Sequence, residues 1–191
     1  MLWWSQKQTK WLLGSCSILL IFISGCCWQR FEKVKQHVFI VYDIPKVSTI
    51  EFISGEKYFT PDTASFRLNA KFENYVRKPS HHLYGCSRMD STILRHCKNE
   101  DAELFLYEHV KILRLSNAAI HWKKRVTVDY VILTNRMKFI TASIVDSVCC
   151  KKIILDSSIP IWKAKKVAKV LRDKHLDVYA CAEKGAFIRS L

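Results

Sequence analysis

The sequence predicts an α/β domain standing behind one N-terminal transmembrane helix. Three observations predict it. An uncharged, densely apolar run fills residues 11–28. The middle of the chain is a series of short β-branched and aromatic runs of strand length, separated by polar residues. The last third, residues 129–191, mixes such runs with an amphipathic helical pattern in the order strand, helix, strand, helix, strand, strand.

The chain divides into an N-terminal flank (1–10), the transmembrane helix (11–28), a basic juxtamembrane linker (29–37) and a soluble domain (38–191). The 18 residues of the helix sit at the short end of the roughly 17–25 that a spanning helix needs. Trp11 and Trp28 stand at its two ends as membrane anchors at the interface. A second reading fits the same stretch. Lys7 and Lys10, a shorter apolar run and then Ile23-Ser24-Gly25-Cys26 are also the pattern of a bacterial lipoprotein signal, with Cys26 as the lipidated residue. That reading gives a lipidated envelope protein of structural role. Arg30, Lys33 and Lys35 after the apolar run outnumber Lys7 and Lys10 before it, which leans towards a cytoplasmic C-terminal part.

Val38-Phe39-Ile40-Val41-Tyr42 reads as the first strand. Thr49-Ile50-Glu51-Phe52-Ile53 alternates as a half-buried strand should, and Ser54-Gly55-Glu56-Lys57 is a hairpin turn into Tyr58-Phe59-Thr60. The soluble part therefore opens as an antiparallel meander. Phe66, Leu68, Phe72 and Val76 give a helix over 64–76 that Lys78-Pro79 ends. Residues 80–101 are polar and His-containing, mostly loop with a short helical or strand piece. Strands follow at 104–107, 110–115, 118–122 and 126–133, then a short helix over 140–148 and a strand over 151–156. From Pro160, Ile161, Ala164, Val167, Ala168 and Leu171 recur at three and four, with Pro at a helix start where its missing N–H costs nothing. Lys163, Lys166, Lys169 and Arg172 fill the other side. Residues 176–180 and 186–188 close the sheet.

A formal net charge of +14 sets up a positive field that favours nucleic acid or anionic lipid as partner. Of the 8 cysteines, Cys16, Cys26 and Cys27 lie in the apolar run. The other five, Cys86, Cys97, Cys149, Cys150 and Cys181, are an odd set with an adjacent pair, which is no disulfide framework. No CxxC occurs, and the histidines have no zinc spacing. The 5 scattered glycines cannot form a phosphate-cradling loop.

Residues 38–62 and 129–191, in this order and separation, resemble the C-terminal soluble region of ComEC-type competence proteins, the membrane family that takes DNA into bacterial cells. The likeness is to the shorter, diverged branch. Asp129-Tyr130-Val131-Ile132-Leu133-Thr134 is similar to the strand leading to that family's metal-binding loop, 152–156 to its next strand and 161–174 to its packing helix. Asp177-Val178-Tyr179 followed by Glu183-Lys184-Gly185-Ala186-Phe187 is similar to its closing strand, turn and strand. The resemblance implies a metallo-β-lactamase-like sheet-and-helix domain, whole or truncated, behind the last membrane helix of the family. It also implies a single-pass protein of the bacterial inner membrane. Because the family's multi-helix channel is absent from this sequence, the resemblance implies a separate subunit with a channel subunit as partner, a truncated descendant or a gene fragment. Family precedent puts the domain outside the membrane, opposite to the lean of the flanking charges.

The departures bear on chemistry. Hydrolases of this fold use a His-x-His-x-Asp-His cluster to hold metals and activate water, and the sequence has none. Thr134-Asn135-Arg136-Met137 stands where the resemblance would put a His-His-Gly loop, and Leu115-Ser116-Asn117 where it would put a ligand Asp. The expectation is a non-catalytic, cofactor-free domain that contacts DNA through Arg136, Lys138, Lys163, Lys166 and Lys169. The competing expectation is a diverged metal-dependent hydrolase or nuclease using His81, His82, Asp156 and Asp62.

Overall fold

A computed structural model describes residues 2–61, 73–99, 101–116, 126–135 and 148–191. Helix α1, Leu2–Lys35, runs through the apolar segment and continues without a break through the basic residues after Trp28. The stretch Trp11–Lys35 is long and apolar enough to cross a membrane, and none of it is buried. Only Gln36 separates α1 from the first strand, so residues 29–35 are the last turns of the helix.

The strands are β1 (His37–Val41), β2 (Ile50–Ser54), β3 (Lys57–Phe59), β4 (Arg88–Met89), β5 (Arg95–Lys98), β6 (Ala102–Tyr107) and β7 (Val110–Leu115), followed by β8 (Val126–Thr127), β9 (Tyr130–Leu133), β10 (Val148–Cys149), β11 (Lys152–Leu155), β12 (Val178–Ala180) and β13 (Phe187–Ser190). Among the described residues they form a five-stranded sheet in the order β13-β1-β2-β3-β4, a six-stranded sheet in the order β12-β11-β9-β7-β6-β5, and the small pair β10-β8. In the first sheet β1, β2 and β3 make the antiparallel meander, with Val38 opposite Ile53 and Phe52 opposite Phe59. In the second, β7, β9, β11 and β12 are parallel. Parallel strands covered on both faces need unbroken apolar runs. Val131-Ile132-Leu133 and Ile153-Ile154-Leu155 supply them.

The two sheets pack face to face. Phe39, Val41, Phe52 and Phe187 of the first interleave with Phe105, Tyr107, Ile112, Ile132 and Ile154 of the second, and rings such as Phe52 and Phe105 lie 5.3 Å apart. Helix α2 (Lys78–Tyr84) covers the outer face of the first sheet, where Val38, Ile40, Tyr42 and Ile53 pack with Tyr84. Helix α3 (Ile161–Asp173) lies on the outer face of the second, setting Ala164, Ala168 and Leu171 against Leu113, Val131, Leu133, Ile153 and Leu155. Two alanines at i and i+4 let the helix axis approach the sheet closely. The result is four layers: helix, sheet, sheet, helix.

Several elements differ from the sequence reading. β2 is buried on both faces rather than half-buried, because α2 covers its outer side. Pro79 does not end a helix. It sits in the first turn of α2, where no intrahelical N–H is lost, after a π-helical turn at Glu73–Arg77. The helix expected over 64–76 falls mostly outside the described residues, as does the strand at 118–122. The run 126–133 is two strands. β8 pairs with β10, and Asp129 turns the chain into β9 by accepting Lys111 N–H on its carboxylate while its carbonyl takes the N–H groups of Lys151 and Lys152. Of the helix expected over 140–148, only Val148 is described, and it lies in β10. The last strand, β13, closes the first sheet beside β1, not the sheet of β12. All 8 cysteines are free thiols.

Candidate functional site

The carboxyl ends of β1, β3, β7, β9 and β11 meet at one end of the sandwich. Main-chain bonds tie them together: Lys46 N–H to Ser157 C=O (3.0 Å), Asp156 N–H to Leu133 C=O (3.2 Å) and Thr134 N–H to Leu115 C=O (3.4 Å). The carboxyl ends of parallel strands are where α/β sheets present ligand-binding groups. The buried polar side chains gather here too: Thr49, Thr60, Thr134, Asp156 and Ser157.

Asp156 lies at the centre. Period-two alternation along β11 turns Ile154 into the inter-sheet core and carries Asp156 to the same side. Its Oδ1 accepts from the backbone N–H of Ser158 (3.1 Å) and from Ser158 Oγ. Its Oδ2 is buried, and the Ser48 hydroxyl, which favours the charged carboxylate, lies near the carboxyl without a well-formed hydrogen bond. Burial pushes the Asp156 carboxyl up to about 6, although Ser158 and the Arg114 guanidinium favour its charged form. Ser158 Oγ also accepts from Asn135 N–H (2.8 Å), and Asn135 Oδ1 in turn accepts from Lys163 Nζ (3.3 Å). Ser157 donates to Asp43, which fastens the loop after β1 to the end of β11.

Between the sheets near this end, Arg114 of β7 and Glu103 of β6 form a buried ion pair, which Lys98 joins at 2.7 Å. The Cys181 thiol is buried nearby. Desolvation first, then the Asp156 carboxylate, push it up to about 12, so it is an inert, protonated group.

Helix α3 starts at this same end. Pro160, Ile161 and Trp162 are exposed, Trp162 at 69%. Lys163 is half-buried on Asn135, and Lys165, Lys166 and Lys169 are exposed along the outer face. Trp162, Lys166 and Lys169 follow helical spacing, so a basic stripe with an aromatic at its head runs away from the polar end.

The structure thus gathers Asn135, Asp156 and Lys163, and places Lys166 and Lys169 on the adjoining helix. Arg136, Lys138 and Asp62 lie outside the described residues. His81 and His82 are not brought to Asp156. Both sit on α2, and His81 Nε2 is 2.7 Å from Glu51 Oε1 on the opposite, outer face of the first sheet. Among the described residues, no group of three or more His, Cys, Asp or Glu side chains is placed to hold a metal ion. Cys26 and Trp28 are exposed near the end of the apolar segment, and Trp11 at its start. Sequence reasoning missed Trp162, Ser158 and the Glu103–Arg114 pair. Signals existed: Arg114 interrupts an apolar run, and Asp156-Ser157-Ser158 directly follows a buried strand.

The layered sandwich, the polar end and the leading apolar helix define an α/β domain joined directly to a helix long and apolar enough to cross a membrane. The family model of the ComEC C-terminal domain matches residues 39–191. The chain belongs to that family, and so is related to competence DNA uptake. No curated protein and no solved structure was found to match it.

Proposed function

We propose that the chain is a non-catalytic, membrane-anchored domain that contacts DNA at the polar end and along α3, alone or beside a channel subunit of the bacterial inner membrane. The observation that carries this reading is the exposed stripe of Trp162, Lys165, Lys166 and Lys169, continuous through Lys163 with Asn135. Such a stripe offers phosphate-neutralising charge together with a ring on which bases stack. The helix–sheet–sheet–helix layering supports a metallo-β-lactamase-like scaffold. The engagement of His81 with Glu51, away from Asp156, weighs against the ligand set that a hydrolase reading would use.

The test is binding of the full chain, in detergent, to single-stranded DNA over a salt series. Binding with a steep negative dependence on salt supports the reading, and no binding at low salt sinks the DNA contact. The same preparation, analysed for bound metal and assayed for nuclease activity with zinc or manganese, decides the non-catalytic part. Hydrolysis on adding either metal overturns it.

A further inference from the structure

We infer that the end of the sandwich opposite the polar site is a seat for an anionic bilayer surface. This inference rests on the reading of α1 as a membrane anchor. The first observation is a clamp that fixes which end faces the membrane. Gln36, the single residue between α1 and β1, donates its side-chain amide to Gly55 C=O (2.9 Å) and to Tyr84 C=O, and its own C=O accepts Gly55 N–H (2.9 Å). Gly55 has φ +60°, and a Cβ there would lie 2.9 Å from Val34 O, so the β2–β3 turn is pressed against the last turn of α1. The clamp therefore joins the end of the helix to the base of the sandwich.

The second observation is height. Residues 29–35 continue the helix beyond Trp28 and rise about 10 Å, close to the depth of a headgroup layer at roughly 5–8 Å. The base of the sandwich is carried at the outer edge of the headgroup layer, within a Debye length of about 8 Å of the lipid charges.

The third is charge. Arg88 on β4 and Arg95 on β5 are exposed at this end and pair with no carboxylate among the described residues, while Lys111 on β7, also exposed, shares the Asp129 carboxylate with Lys151. Lys33 and Lys35 add to them from the last turn of α1, which the clamp holds at this end. Lys57, Lys151 and Lys152 are here as well, matched by Asp90, Asp129 and Asp177, while Glu108 faces His37. Glu56 is exposed against this surplus. The net positive rim spans both sheets and complements phosphatidylglycerol-type headgroups.

The experiment is amide hydrogen exchange on the full chain in nanodiscs of phosphatidylcholine alone or mixed with phosphatidylglycerol. Exchange at 86–95 and 107–111 is expected to slow at least about fivefold in the anionic discs, with 43–48 and 156–163 unchanged. High salt, or the pair Arg88→Glu and Arg95→Glu, removes the difference. Equal exchange in both lipids, with the chain held in the discs through an alkaline wash, overturns this inference alone. A chain released by that wash overturns the anchor reading and this inference with it. Protection confined to 43–48 and 156–163 overturns the orientation that the clamp implies.

Discussion

Ser158 Oγ donates to Asp156 Oδ1, while Oδ2 of the same carboxylate is buried without a well-formed hydrogen bond among the described residues. One oxygen is held firmly and the other is near only the Ser48 hydroxyl, so burial dominates and the carboxyl is pushed up to about 6. An unfolded Asp titrates near 3.9. Between those values the native state holds a proton that the unfolded chain has lost. The group's contribution to stability is complete below about pH 4 and is lost as pH rises through about 6, a difference of about 3 kcal/mol. Asp156→Asn is therefore expected to flatten the decline in unfolding free energy between pH 4 and 7. Denaturant unfolding of both proteins across that range checks it, and parallel declines count against the assignment.

The buried carboxylate of Glu51 accepts from the Tyr42 hydroxyl and faces His81 Nε2 at 2.7 Å. Burial holds the Tyr42 phenol far above its ordinary value, so it remains a donor at any working pH. His81→Ala takes one hydrogen-bond partner from the buried Glu51 side chain beneath α2 and is expected to cost about 1–3 kcal/mol. Replacing both partners, Glu51→Leu with His81→Leu, is expected to recover much of that loss. A double-mutant cycle by chemical unfolding measures the difference, and additive losses would show that the pair is not coupled.

Gly55 is held at φ +60° with Val34 O where a Cβ would go. Gly55→Ala is expected to lower stability by about 1–3 kcal/mol. Gly14→Ala, in open space on α1, serves as the comparison that is expected not to lower stability. Thermal unfolding in one detergent ranks the two, and equal midpoints would mean that the joint tolerates a side chain.

The parallel strands were legible because burial on both faces demands apolar runs such as Ile153-Ile154-Leu155, and α3 because Pro160 and an Ala/Leu stripe announce it. Local pattern could not show which sheet a strand joins. Phe187-Ile188 reads like any closing strand, yet it pairs with β1 across nearly the whole chain. Nor could it show that Glu51 is covered, because the cover is α2, about 30 residues further on, reached through the His81–Glu51 contact. The polar end was half legible. Asn135 and Lys163 stood out as departures from a family pattern and as a basic face, whereas the Ser158 link between Asn135 and Asp156 exists only once β9 and β11 lie side by side.

The exposed face of α3 separates two contributions that a nucleic-acid strand would feel. Lys166 and Lys169 are exposed point charges, and each phosphate they neutralise steepens the salt dependence by about 0.7 for single strands. Trp162, 69% exposed at the head of the same face, carries no charge and contributes by stacking, about 1–3 kcal/mol per base. Lys166→Ala with Lys169→Ala is therefore expected to reduce the salt slope by about 1.4, while Trp162→Ala weakens binding roughly tenfold or more at every salt concentration and leaves the slope unchanged. Fluorescence anisotropy with a labelled oligonucleotide and the full chain in detergent reads both quantities. If all three substitutions leave affinity and slope as they were, DNA does not lie along α3, and the charge of that helix serves only to keep it in water.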